Sequence, residues 1–140
     1  MHDHLLMLRL LTDASLFILI WIVQLIIYPG FVFYTSTDLV KWHAAYTARI
    51  AVIVAPLMLL QVILVAIQLF ENMQFYTVLS AGLVGLVWLL TFVYFVPQHQ
   101  KIADNRFSQK VLTQMVTVNW IRTALWTLLL LSSLMAYYHR

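Results

Sequence analysis

Four long apolar runs separated by short polar stretches organise the chain: Ala14–Phe33, Ile50–Phe70, Tyr76–Val96 and Ile121–Tyr138. Each is close to the ~20 residues that cross the hydrocarbon of a bilayer. Lipid offers no partner to a backbone N–H or C=O, so each run is predicted to be a helix that satisfies its own backbone. The predicted fold is all-α: one domain, residues 1–140, a polytopic membrane protein built as a four-transmembrane-helix bundle. The first run is longer than the apolar part of a cleavable signal and no small-residue cleavage site follows it, so it is expected to remain as a span.

Polar residues between the runs set the finer expectations. Thr37 or Asp38 can cap a helix near Leu39, and Ser108 one near Gln109. The second and fourth helices then run roughly 45 Å at 1.5 Å per residue, and their first turns stand in the interface. Proline lacks an N–H, so Pro97 is expected to end the third helix and Pro56 to kink the second. The charged stretch from Pro97 to Ser108 then reads as a solvated loop. Gly82 and Gly85 are expected to permit close helix packing. Tyr28-Pro29 matches Val96-Pro97, and Arg49-Ile-Ala51 matches Arg122-Thr-Ala124, which suggests two helical hairpins repeated about a pseudo-twofold axis along the membrane normal.

Composition narrows the class. Hydrophobic residues make up 64% and charged residues 9%, with a mean hydropathy of +0.91, against roughly a quarter charged in a soluble domain. Three glycines and three prolines are too few for the turns of a β-barrel. The absence of cysteine removes disulfides, thiolate nucleophiles and iron–sulfur ligation. The net charge of +3 has no aromatic-basic stretch beside it, so nucleic acid is not an expected partner. Lys41, Arg49, Lys101, Arg106, Lys110 and Arg122 lie in or just after the first and third connections, whereas the other side has only Arg9 and Arg140. The positive-inside bias therefore predicts a multi-pass protein with its termini outside and those two connections in the cytoplasm.

Polar groups inside a span are expensive, so those near the cytoplasmic ends are the candidates for function. At 100° per residue, Trp42, Tyr46, Arg49 and Ile53 form one stripe of the second helix, with His43 about 60° from Tyr46. Asn119 and Arg122 share a face of the fourth helix, His99 follows Pro97, and Gln24 lies near the end of the first. His43, Tyr46 and His99 are the candidate catalytic residues, suited to proton handling. Gln24, Arg49, Asn119 and Arg122 are the candidate cofactor-binding residues. The two arginines, near helix N-termini, are predicted to meet across the bundle around an anion. His43 and His99 are predicted to share one pocket, in which haem, a quinone or a metal would be chemically suited, and the sequence names no cofactor among them. The plainer alternatives are arginines that snorkel to lipid phosphates and histidines that only hydrogen-bond. Asp13, four residues after Arg9, reads as an ion pair at the outer interface. Gln61 and Gln68 read as hydrogen bonds between helices. His2, His4 and His139 read as solvated, although Met1-His-Asp-His4 could hold a divalent ion.

The segments Trp21-Ile-Val-Gln24, Tyr28-Pro-Gly-Phe31, His43-Ala-Ala-Tyr46, Arg49-Ile50, Pro56-Leu-Met58, Pro97-Gln-His99 and Asn119-Trp-Ile-Arg-Thr123 follow in order along nearly the whole chain. Together they resemble a family of small, uncharacterised bacterial four-helix membrane proteins. Pro97 with Asn119 and Arg122 looks more distantly like the anthrone-oxygenase-like membrane proteins, although several tryptophans and asparagines of that pattern are absent or displaced. The first resemblance implies a four-helix bundle of the bacterial inner (cytoplasmic) membrane with His43, Tyr46, Arg49, His99, Asn119 and Arg122 as its polar residues, and implies no activity.

Three functions fit. The first is a membrane enzyme or redox protein, an oxidoreductase being one case, that takes an amphiphilic anionic substrate or cofactor between its helices. The second is a noncatalytic ligand-binding or transport component, which with four helices would need to oligomerise. The third is a structural subunit of a larger membrane complex. Membrane lipids are expected partners in every case, with a homo-oligomer or larger complex as the assembly.

Overall fold

The computed structural model describes residues 2–138, with side chains from His4 onward. Met1, His139, Arg140 and the side chains of His2 and Asp3 lie outside the described residues, and with them the divalent-ion reading of the N-terminus and part of the outer charge count. Four helices are long and apolar enough to cross a membrane: α1 (His4–Phe33), α2 (Ser36–Glu71), α3 (Phe75–Ala103) and α4 (Gln109–Tyr138). α1 and α3 each pack against both α2 and α4. The helices thus follow one another around an antiparallel four-helix bundle, as short connections favour, and α1 lies diagonally opposite α3.

Local chemistry explains the helix ends. α2 starts earlier than predicted: Thr35, in extended conformation, is its N-cap, and its Oγ1 accepts from the Asp38 N–H at 3.2 Å. At 36 residues α2 is about 54 Å long, well beyond the ~30 Å hydrocarbon core. A reciprocal pair opens α3, where the side chains of Gln74 and Thr77 each accept from the other's backbone. α4 begins at Gln109, as Ser108 suggested.

Pro97 does not end the third helix, and the stretch from it to Ser108 is not all loop. Proline crowds the carbonyl four residues before it, and in both odd helices the preceding turn widens to a π-helical one, Val23–Ile27 before Pro29 and Thr91–Phe95 before Pro97. The N–H of Tyr28 reaches back to the Val23 carbonyl and that of Val96 to the Thr91 carbonyl. The wider turn accommodates the ring, and both helices continue. α3 therefore runs through Pro97 to Ala103, and only residues 104–108 form the connection. It ends on a left-handed residue, Asn105, with φ 55°. The Arg106 N–H bonds the Lys101 carbonyl at 2.7 Å and the Asn105 N–H bonds the Ile102 carbonyl at 3.0 Å, the paired bonds of a Schellman cap. Asp104 accepts from Arg106 and from Gln100, and these hydrogen bonds hold its carboxyl below the usual carboxylate range. Pro56 lies within an unbroken α2. Gly82 and Gly85 do not mark a close helix approach, since a Cβ at either would meet nothing within 4 Å. The two π turns, each placed just before its proline, add a match to the internal repeat.

The far half of the bundle, away from the first and third connections, holds a polar core that the sequence placed at an interface. Arg9 and Asp13 are 3% and 0% exposed. The Asp13 carboxylate accepts from Arg9 Nε at 2.7 Å and from Gln61 Nε2 at 2.6 Å. Arg9 Nη1 donates to Gln68 Oε1 at 2.9 Å, and Trp126 Nε1 to Gln61 Oε1 at 3.3 Å. One carboxylate thereby ties α1 to α2, and through Gln61 to α4.

A candidate functional site at the basic end

Lys41, Lys101, Arg106 and Lys110 are all exposed at one end of the bundle, and the candidate site lies inside that end. His43 stands two turns into α2 and His99 half a turn beyond Pro97. Because α3 stays helical past the proline, His99 points back between the helices. His43 Nε2 and His99 Nδ1 are 2.8 Å apart, and His99 Nε2 is 2.9 Å from the Tyr28 hydroxyl. Tyr28 of α1, His99 of α3 and His43 of α2 therefore form one hydrogen-bonded chain across the bundle. The remaining nitrogen, His43 Nδ1, is buried without a partner.

This chain has two proton arrangements. With the Tyr28 hydroxyl donating, His99 carries its proton on Nδ1 and gives it to His43 Nε2. With His43 donating from Nε2, His99 carries its proton on Nε2 and gives it to the Tyr28 oxygen. Moving from the first to the second passes a proton from Tyr28 to His43, and the groups return to neutrality only when His43 Nδ1 gives up its proton and the Tyr28 oxygen takes one up from the cavity side. The spacing also bears on metal chemistry. Nitrogens 2.8 Å apart that face each other make a hydrogen bond, which uses the proton of one and the lone pair of the other and leaves neither to ligate a shared metal in this arrangement. The pair likewise leaves no slot for a haem iron between its rings. Among the described residues no group of three or more His, Asp or Glu is placed to hold a metal.

Arg122 of α4 is 8% exposed. Its guanidinium lies 4.3 Å from the centre of the Phe95 ring and 5.2 Å from that of Trp126, and it interacts with Tyr28, Tyr46 and His99. No carboxylate pairs with it among the described residues, and its Nε has no hydrogen-bond partner. A buried guanidinium whose described neighbours are ring faces, tyrosine hydroxyls and an imidazole favours an anionic or strongly accepting oxygen.

That charge borders a cavity of about 450 Å³. Tyr28, Tyr46, His99 and Arg122 line its polar end, and Val23, Val54, Met58, Trp88 and Phe95 are among its apolar walls. Its rim on α2 is a row of small residues at helical spacing, Thr47, Ala51 and Ala55, continued by Leu59 and facing Phe92 and Val96 of α3. Leu59, Phe92 and Val96 are 54%, 57% and 48% exposed. The cavity therefore opens sideways, between α2 and α3, toward the space that lipid would occupy.

The other sequence candidates fall elsewhere. Arg49 is exposed and does not border the cavity, so the expected meeting of Arg49 with Arg122 does not occur. Leu39, His43 and Tyr46 are the buried residues of this part of α2. At 100° per residue they centre about 30° to one side of Tyr46, and Arg49 lies about 60° to the other. The stripe drawn through Tyr46 was the edge of the buried face rather than its middle. Gln24 and Asn119 are fully inside the protein but join each other: Asn119 Nδ2 donates to Gln24 Oε1 at 2.8 Å, and Gln24 Nε2 donates to the Val116 carbonyl at 3.1 Å. They fasten α1 to α4 beside the cavity. Tyr28, Phe95 and Trp126 were missed as site residues. The only signal for Tyr28 was the Tyr-Pro pair, which marks where the π turn brings the ring inward, and an apolar aromatic such as Phe95 has no sequence signal that separates a cation platform from ordinary core. Comparison with family models, with curated proteins and with solved structures brought no match to this chain.

Proposed function

We propose that this chain is a membrane enzyme or redox component that takes an amphiphile from the lipid phase, holds its oxygen-bearing head at Arg122 and exchanges a proton with it through Tyr28, His99 and His43. The observation that carries the reading is a buried arginine with no carboxylate partner among the described residues, at the polar end of a cavity that opens sideways. A carboxylate head suits that charge, and so does a quinone oxygen, which becomes anionic as it is reduced. The residues present do not suit haem, because the two histidines bind each other. On this reading the basic end faces the cytoplasm of a bacterial inner membrane, and His43 Nδ1 is the free end of the relay.

Trp88 and Trp126 beside the cavity and Arg122 make binding visible. Purified protein in detergent is titrated with dodecanoate and with a decyl-tailed benzoquinone, following tryptophan fluorescence. A charge-assisted hydrogen bond contributes about 1.5–3 kcal/mol, so Arg122→Gln should weaken the probe that binds by roughly 10- to 100-fold, while Arg49→Gln leaves it unchanged. Tyr28→Phe should leave binding of that probe within a few fold but abolish the proton uptake or release that accompanies it, read with a pH dye in weak buffer. If neither probe binds, or if Arg122→Gln binds as well as the native chain, the reading fails. Binding that persists without any linked proton would instead favour a noncatalytic binding component.

A further inference from the structure

A second apolar cavity of about 360 Å³ lies between α2 and α3 in the far half of the bundle, among Val62, Ala66 and Leu69 of α2 and Ala81, Gly85 and Trp88 of α3. Trp88 borders both this cavity and the one that ends at Arg122. The two therefore lie end to end along the same face of α2 and α3, called the seam below, with the Trp88 side chain bordering both. Small residues make the seam, Ala51, Ala55 and Ala66 on one wall and Ala81 and Gly85 on the other. A Cβ built on Gly85 would meet nothing within 4 Å, so the space beside it is open. From Thr47 to Leu69 the seam covers 22 residue steps, about 33 Å at 1.5 Å per residue, close to the ~30 Å hydrocarbon thickness.

We infer that the seam is the tail site of the amphiphile whose head binds Arg122, and that it selects a single long unbranched or isoprenoid chain lying along α2 and α3 past Trp88. The inference rests on the head-group reading above and adds the substrate class to it. Three features point to a tail rather than to general lipid contact. The same face of the α2–α3 pair bears both cavities, and one of them ends at the only buried guanidinium that lacks a carboxylate among the described residues. The seam is far longer than the head cavity, so a short molecule would leave it unfilled. Its outer wall is open along the same side as the head cavity, so a chain already in the bilayer can enter sideways without being drawn through water. Transfer from lipid to an apolar groove gains little hydrophobic energy. Selectivity for length therefore comes from contact and fit, and the position of the chain end is the informative readout.

The test uses two photoreactive probes, a hexadecyl carboxylate and a benzoquinone on the same tail, each with a diazirine at the chain end. They are cross-linked to the full chain in liposomes and mapped by mass spectrometry. The expected labels are on Ala66, Leu69, Ala81 and Gly85, and octanoate-length versions should label near Val54 and Met58. Gly85→Leu and, independently, Ala66→Phe fill the far seam and should move the long-chain labels away from it while Arg122-dependent binding persists. Gly82→Leu, on the same helix but outside the seam, should change nothing. Arg122→Gln should remove the seam labels altogether. Labels scattered over lipid-facing residues such as Ile53 and Leu86, indifferent to Arg122, would overturn both the inference and the head-group reading. Arg122-dependent binding with the chain end off the seam, or labels unmoved by both filling variants, would overturn the tail site alone.

Discussion

Replacing Asp13 by alanine removes two contacts at once, the 2.7 Å bond from Arg9 and the 2.6 Å bond from Gln61. It leaves the Arg9 guanidinium, 3% exposed, with Gln68 as its remaining acceptor. Two charge-assisted bonds at about 1.5–3 kcal/mol each set an upper range of about 3–6 kcal/mol, and removing one partner of a buried pair typically costs about 3–5 kcal/mol. The expected loss is therefore about 3–5 kcal/mol, or two to more than three powers of ten in the folded-to-unfolded ratio. Unfolding of the purified protein by sodium dodecyl sulfate in mixed micelles, followed by far-UV circular dichroism, measures it. The double variant Arg9→Met with Asp13→Leu removes both charges and should recover most of the loss, because the penalty lies in the stranded charge. Coupling between the two sites is then read from the double-mutant cycle completed by the single variants Arg9→Met and Asp13→Leu. If Asp13→Ala unfolds within about 0.5 kcal/mol of the native chain, the carboxylate is not the buried tie between α1 and α2 described above.

Gln24→Leu should cost about 1–2 kcal/mol in the same assay, the scale of hydrogen bonds between membrane helices, and should leave the Arg122-dependent binding in place because Gln24 lies outside the cavity. Asn105→Gly should hold or raise stability and Asn105→Val should lower it by about 1–2 kcal/mol, since a left-handed φ of 55° strains any residue with a branched Cβ; hydrogen exchange of the Gln100–Arg106 amides is the local readout. The chain has no cysteine, so single cysteines placed at Asn72 and Asp104 report orientation cleanly. An impermeant maleimide applied to intact cells should label the first and not the second, and the opposite pattern would reverse the proposed orientation.

The periodicity-free apolar runs and the shortage of charge were enough to determine four membrane-length helices, because backbone hydrogen bonding in lipid permits little else. They also placed His43, Tyr46, His99 and Arg122 near one end, since short connections between antiparallel helices bring alternate helix ends together. Helix ends were less legible. Proline reads as a stop, but a widened turn before Pro29 and Pro97 lets both helices continue, and that choice depends on a backbone rearrangement no residue type announces. Tertiary packing alone decided which arginine is buried. Arg49 and Arg122 have similar neighbours in sequence, and only the rotation of each helix about its axis sends one outward and the other onto Phe95 and Trp126. It likewise turned Arg9 and Asp13 from an apparent surface pair into the polar core of the far half, because their partners Gln61 and Gln68 come from another helix, 48 and 59 positions away in the chain. Hydrophobic pattern specifies that a helix must bury a face; the exact angle at which it does so is set by the shapes of its neighbours.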